Sequence, residues 1–271
     1  MSQTTLLLAG LPESGKTTYL AALFHLLRTQ TTNVAELSMP NLPEDRDYLM
    51  EAESTWLRFQ PLTRTVAAAP GAATIPLVRD GRDIQLSLPD VRGEDYEHLW
   101  EYGSVSEQLR DVAGAAQGVM LFVRADHVVA PSFIEQTPQE IDGTSFELED
   151  WRAGEAPTQT KLCDILEQLA IVERSIPVAV VVSAWDATPA KDEDPSAWFQ
   201  RRLPLLWQLL DTSSLPWASF GISAQGGDLT DPAERARLTS LPDSVSRIAD
   251  PVSRQGDDLT APIAWVLAGS A

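Results

Sequence analysis

With 271 residues, 44% of them hydrophobic and 22% charged, the chain has the composition of an ordinary soluble globular protein and is long enough to bury a substantial core. A net charge of −19 repels nucleic-acid backbones and anionic lipid, which disfavours both as partners, and no apolar run approaches the roughly 20 residues that cross a bilayer. The single cysteine, Cys163, excludes an internal disulfide. It fits a reducing, cytoplasmic setting, and no basic segment precedes the first apolar run as a secretory signal would require.

In chain order, residues 4–9 read as a short buried strand and residues 15–28 as a helix with Leu20, Leu23, Phe24 and Leu27 on one face. A polar, proline-containing stretch follows, with a short helix at 45–57. Two β-branched or alternating runs, 73–79 and 83–89, flank Asp80-Gly81, a strong hairpin signal. A helix is expected over 101–116 and an apolar strand over 118–125. Residues 126–158 are acidic and rich in Pro, Gly and Thr, and read as an insertion. Then come a helix at 161–174, with Cys163 as a small apolar filler, a buried strand at 177–185, a helix at 195–210 and a strand at 217–223. Asp257 or Asp258 caps a last helix. Trp207 and Trp265 sit at helical spacing with leucines, as core residues do.

Apolar strands alternating with helices predict an α/β fold with a mainly parallel sheet covered on both faces, and the hairpin adds one antiparallel edge strand. No composition shift marks a second domain, so residues 1–271 read as a single domain carrying the 126–158 insertion.

The sharpest motif is GLPESGKT, in which Gly10, Gly15, Lys16 and Thr17 satisfy G-x-x-x-x-G-K-[ST] between a strand and a helix. Glycines there allow close approach of backbone to ligand. The amides of Glu13, Ser14, Gly15, Lys16, Thr17 and Thr18 then surround phosphate oxygens at the helix N-terminus. Lys16 is expected to bridge the β- and γ-phosphates, and the Thr17 hydroxyl to ligate Mg²⁺. LSLPDVRGEDY ends a strand in Asp90, a candidate Mg²⁺ ligand through water, with Gly93 three residues on to offer its N–H to the γ-phosphate.

VVVSAWD ends another strand in Ser183, Ala184, Trp185 and Asp186. A carboxylate there can accept from guanine N1–H and N2–H₂, donors that adenine lacks. GISAQGG ends the last strand in Ser223, Ala224 and Gln225, where the Ala224 N–H can meet guanine O6. Each piece alone is weak; their order at successive strand ends, where ligands of parallel sheets gather, carries the reading. His25, His98 and His127 are scattered and form no metal cluster with the one cysteine.

With these motifs the chain resembles Ras-like, translation-factor-class P-loop GTPases, whose fold is a P-loop NTPase three-layer αβα sandwich. GLPESGKT, DVRG, SAWD and SAQ stand where that class carries its phosphate loop, second switch, base-reading Asn/Thr-Lys-x-Asp and Ser-Ala-Lys turn. Within the class, LAGLPESGKTTYLAALFHLL, VVVSAWD and GDDLTAPIAWVLA are most similar to the bacterial double-GTPase domains of GTPase-associated conflict systems. The resemblance implies a first-switch threonine on Mg²⁺, for which QPLTRTVAA offers Thr63 and Thr65, with Thr65 favoured. Arg64 or Arg92 could serve as an internal arginine finger, although a surface arginine is the plainer reading of each.

Three departures bear on activity. SAWD lacks the lysine that packs along the base, leaving Trp185 or another apolar group for that place. Glu94 replaces a water-orienting glutamine, and a carboxylate beside a γ-phosphate is repelled unless Mg²⁺ or an arginine screens it. Pro12 removes a loop N–H and Glu13 adds a charge. The expected function is therefore a GTP/GDP-binding molecular switch with slow, Mg²⁺-dependent hydrolysis that signals to a protein partner. The alternatives are a guanine-nucleotide-binding scaffold without significant hydrolysis and an ATP-dependent P-loop enzyme.

Overall fold

A computed structural model describes residues 2–29, 37–62, 72–89, 91–131, 152–189, 192–248 and 258–269. Its centre is a six-stranded sheet in the order β2-β3-β1-β4-β5-β6. The strands are β1 (Ser2–Ala9), β2 (Ala72–Arg79), β3 (Arg82–Pro89), β4 (Gly118–Arg124), β5 (Val178–Ser183) and β6 (Trp217–Ile222). β1 runs parallel to β3 and β4, and β4, β5 and β6 are parallel in turn. Only β2 is antiparallel, paired to β3 through Arg79 opposite Arg82. Asp80 and Gly81 both take positive φ, 49° and 74°, the two-residue turn whose twist suits a hairpin.

Alternation along the strands sorts the core into two halves. Leu6, Leu8, Met120, Phe122 and Val181 face α1 (Lys16–Thr29), α2 (Asp47–Leu57) and α9 (Ala261–Gly269). Leu7, Ala9, Leu121, Val123, Val180 and Val182 face the other layer. That layer comprises α3 (Gly93–Tyr102), α4 (Glu107–Ala115), α5 (Thr158–Gln168), α6 (Pro195–Arg202) and α7 (Pro204–Thr212). Burial on both faces explains why the central strands read as continuous apolar runs: every residue of β5 is buried. The result is the αβα sandwich expected from the sequence. Among the described residues, no helix is long and apolar enough to cross a membrane.

Element boundaries depart from expectation where local chemistry intervenes. Of the helix expected over 101–116 only α4, from Glu107 to Ala115, forms inside that range. α3 already begins at Gly93 and stops at Tyr102, because Gly103 takes the left-handed region at φ 61°, and Ser106 accepts from Leu109 N–H to start α4. The helix expected over 195–210 breaks at Leu203, since Pro204 cannot continue the hydrogen-bond ladder. α5 begins at Thr158 instead of 161 and ends at Gln168, short of a positive-φ residue, Ala170. An unanticipated helix, α8 (Pro232–Thr239), follows β6; Asp231 caps it by accepting from Ala233 N–H. Asp258 accepts from Thr260 N–H and Oγ–H ahead of α9, while Asp257 lies outside the described residues. Trp207 and Trp265 are half-buried against opposite core halves.

Candidate functional site

β1 delivers the chain to the C-terminal edge of the sheet, and residues 10–15 turn it into α1. A Cβ on Gly10 would stand 2.8 Å from the Phe122 carbonyl oxygen, and one on Gly15 would stand 3.1 Å from the Ser183 side chain. Gly10 therefore needs glycine for space, at a φ of 152°, whereas at Gly15 the fit is only tight and the φ of 92° is what favours glycine. Glu13 adopts φ 60°, a left-handed conformation uncommon outside glycine. Lys16, the first residue of α1, is buried, and its Nζ donates to the Gly10 carbonyl at 2.7 Å, the Leu11 carbonyl at 3.1 Å and Ser14 Oγ at 3.2 Å. A buried ammonium gathered onto its own loop is poised to exchange those acceptors for a stronger anionic one.

A cleft of about 460 Å³ opens over this loop. Glu13, Ser14, Gly15, Lys16, Thr17 and Thr18 line one end, with Gly93 and Glu94 of α3 beside them. Asp186, Ala224 and Gln225 line the other end. Gly93 packs so closely on the loop that a Cβ would lie 2.5 Å from Pro12 Cα. Ser183 lies under the loop: its hydroxyl donates to the Ser14 carbonyl at 2.7 Å and ties the end of β5 to the phosphate-loop turn. Asp186 sits in the short turn Trp185–Ala187 and accepts from Ser223 Oγ. Burial raises its pKa above the ordinary carboxylate value, against the lowering effect of that hydrogen bond. The Ala224 carbonyl accepts from Trp56 Nε1 at 3.0 Å, which anchors the strand-end turn to α2.

Not every expected residue joins the cleft. The Trp185 ring is buried against Trp198 at 5.8 Å between centroids, and a Cβ on Gly221 would strike it at 2.7 Å. Trp185 thus fills the core below the turn and offers no surface along a base. Gly10 and Ser223 act one step back, through Lys16 and Asp186. Arg92 does border the cleft, but it is exposed and ion-paired with Asp95 at 3.2 Å. Thr63, Arg64, Thr65 and Asp90 lie outside the described residues, as does most of the 126–158 insertion. Of the expected Mg²⁺ ligands, Thr17 alone is among the described residues, and it lines the cleft. Among the described residues no group of three or more His, Cys, Asp and Glu could hold a metal.

The wall also contains residues that the motifs did not flag: Gln60, Pro61 and Leu62 beyond α2, Arg124 at the end of β4 and Asp126 just after it, and residues 227–230. No periodicity or spacing marks them, because loop closure alone brings them in. The residues present suit a guanine nucleotide. The glycine cradle admits phosphates, and Gln225 Nε2 is a buried donor with no acceptor among the described residues, of the kind that guanine O6 would satisfy.

A glycine-bracketed loop at the C-terminal edge of a parallel sheet, opening a helix with a buried lysine, defines a P-loop nucleotide-binding protein. The profile of the Double-GTPase 1 family matches residues 7–266, and the chain belongs to that family of P-loop GTPases. No curated protein matches the sequence. Among solved structures, the chain is similar to the Arl6 BBS3 small GTPase from Trypanosoma brucei with bound nucleotide analogue GppNp. The identity is 12%, the match covers 99% of this chain and 98% of that one, and the TM-score is 0.43.

Proposed function

We propose that this protein is a GTP- and GDP-binding switch that hydrolyses GTP slowly with Mg²⁺ and reports its bound state to a protein partner, as a single domain in the cytoplasm. The observation that carries the reading is the pairing, in one cleft, of the Lys16 loop with the Asp186 carboxylate and the unsatisfied Gln225 amide. Lys16 leaves its loop carbonyls for the β- and γ-phosphates, and loop amides hold the remaining oxygens. Asp186 accepts from the guanine N1–H and N2–H₂ edge, and the Ala224 N–H and Gln225 amide meet O6.

Mg²⁺, when bound, would neutralise phosphate charge; Thr17 fits it, and Asp90 and Thr65 are the further ligands we assign. Gly93 offers its N–H to the γ-phosphate from its close seat on Pro12, so that cleavage frees the start of α3. We assign Arg64 to stabilising charge on the transferred group, since Arg92 is engaged by Asp95. The Glu94 carboxylate lines the cleft where water must attack, and its repulsion of the γ-phosphate sets the slow rate.

That same carboxylate favours a second reading, a scaffold module that holds GTP without cleaving it. Single-turnover phosphate release, with and without a lysate supplying partners, separates the two: release in either condition supports the switch, and none in both leaves the module. Calorimetric titration with GTP, GDP and ATP, with and without magnesium, tests the guanine reading. ATP displacing GTP at equal concentration would point instead to an ATP-dependent enzyme.

A further inference from the structure

At the base end of the cleft stands an ion pair that none of the motifs contains. Arg124 closes β4, and the sheet register sets it beside Ser183 at the end of β5. Its Nε and Nη2 donate to Asp126 Oδ1 and Oδ2 at 2.8 and 2.9 Å, a two-pronged contact that fixes the plane of the guanidinium. Arg124 lines both the main cleft and a second cavity of about 190 Å³ behind the phosphate loop, as Glu13 and Ser14 also do. It therefore stands in the wall between the two spaces, next to the loop. Asp126 is near enough to Asp186 to add to the effect of burial on its pKa.

A purine held by its edge at Asp186 presents two flat faces that need cover. Ala184, the residue before the Asp186 turn, takes φ 52° and has only a methyl group to offer. The Trp185 ring is turned into the core. The aromatic residues among the described lining, Tyr19 and Phe122, are buried edge-to-face against each other at 5.3 Å between centroids. The planar groups left to meet a base are the Arg124 guanidinium and the Gln225 amide. The Arg124 side chain is 33% exposed, and a guanidinium already oriented by a carboxylate can stack on an aromatic ring with little further loss of freedom.

We propose that Arg124, held in plane by Asp126, lies against one face of the bound guanine base and is a determinant of nucleotide affinity in this chain. The proposal rests on the guanine-nucleotide reading of the cleft. It makes the end of β4, and not the end of β5, the source of the group that covers the base. The contact is to the base and not to the phosphates, so it is indifferent to whether the third phosphate is present.

The test is calorimetric titration of the full chain with GTP, GDP and ribose 5-triphosphate, which carries the phosphates without a base. Arg124→Ala should weaken GTP and GDP alike by about 10-fold and leave ribose 5-triphosphate unchanged. Arg124→Lys should recover only part of the loss, because an ammonium lacks the plane. Asp126→Asn should weaken GTP and GDP by a smaller factor in the same pattern. Unchanged GTP affinity in Arg124→Ala overturns the proposal. So does an equal loss for ribose 5-triphosphate, which would place Arg124 on phosphate or make it structural. If the unsubstituted chain binds neither GTP nor GDP, the guanine reading itself falls, an outcome distinct from normal GTP binding that Arg124→Ala leaves untouched.

Discussion

Lys16 and Asp186 occupy opposite ends of one cleft, and their chemistry predicts opposite consequences of substitution. Lys16→Ala removes a charge-assisted contact to phosphate, and GTP affinity should fall by about 10- to 100-fold in calorimetry. Asp186→Asn keeps shape and burial but exchanges an acceptor oxygen for a donor. It should shift preference from guanine toward xanthine nucleotides, read by competition, and unchanged GTP affinity would remove Asp186 from the site. The pH dependence follows from burial. Because the folded-state pKa of Asp186 is raised, the carboxylate protonates at a higher pH than in the unfolded chain. Its charged form therefore costs stability above that pKa, and the cost is relieved as pH falls through it. GTP affinity needs the charged form, so it should decline over the same window. Affinity that stays flat down to about pH 4, where an ordinary aspartate titrates, would contradict this assignment.

Between elements, two polar devices join α1, α2 and the 245–247 turn behind the base end of the cleft. Glu53 of α2 accepts from Arg28 Nε and Nη2 and lies 2.6 Å from His25 Nδ1, while His25 Nε2 lies 2.6 Å from Ser244 Oγ. Burial alone would raise the Glu53 pKa, but the hydrogen bonds from His25 and Arg28 outweigh it and hold the carboxyl below its ordinary value. A depressed folded-state pKa means that this contribution is present above the unfolded value and is lost as pH falls through the folded one. Glu53→Gln should therefore destabilise by about 2 kcal/mol in urea at pH 7, with the difference from the unsubstituted protein shrinking in acid.

The second device is Arg247. Its guanidinium lies 4.1 Å from the Trp56 ring centroid and 4.2 Å from that of Phe59, and it donates to the Trp56 carbonyl at 2.7 Å. It has no carboxylate partner among the described residues, and burial pushes its pKa down to about 10. Gly226, at φ 79°, backs onto this segment; a Cβ there would stand 2.1 Å from the Arg247 carbonyl oxygen. Gly226→Ala should lower stability by about 2 kcal/mol and weaken GTP binding together, since the Ala224–Gln225 turn must shift with it. A variant with a lowered melting temperature and unaltered GTP affinity would show that this turn is not held from behind.

Across the whole molecule, the net charge of −19 opposes the nucleotide that the loop attracts. Added salt screens exposed charges at long range more than it screens a buried lysine in contact with phosphate. GTP affinity at fixed magnesium should therefore hold or rise between low and high salt, the reverse of a basic phosphate-binding protein. A steep fall would mean that exposed cations near the cleft govern binding.

The amino-acid order alone determined the parallel sheet, the hairpin at Asp80-Gly81, the phosphate loop and the strand-end positions of Asp186 and Ala224. Each of these is written in local periodicity or in a motif whose residues are neighbours in the chain. The tertiary structure alone decided what those strand ends face. It turned Trp185 into the core and Ser183 under the loop, because side-chain direction at a turn depends on which neighbour leaves room: here Gly221 beneath one and Gly15 above the other. It also brought Arg124, Asp126 and residues 60–62 into the wall, contacts between segments far apart in the chain for which no spacing rule exists. Helix limits fell between these cases. Gly103 and Pro204 are visible stops in the sequence, whereas the length of α5 depended on the left-handed turn at Ala170, a residue type that gives no sign of it.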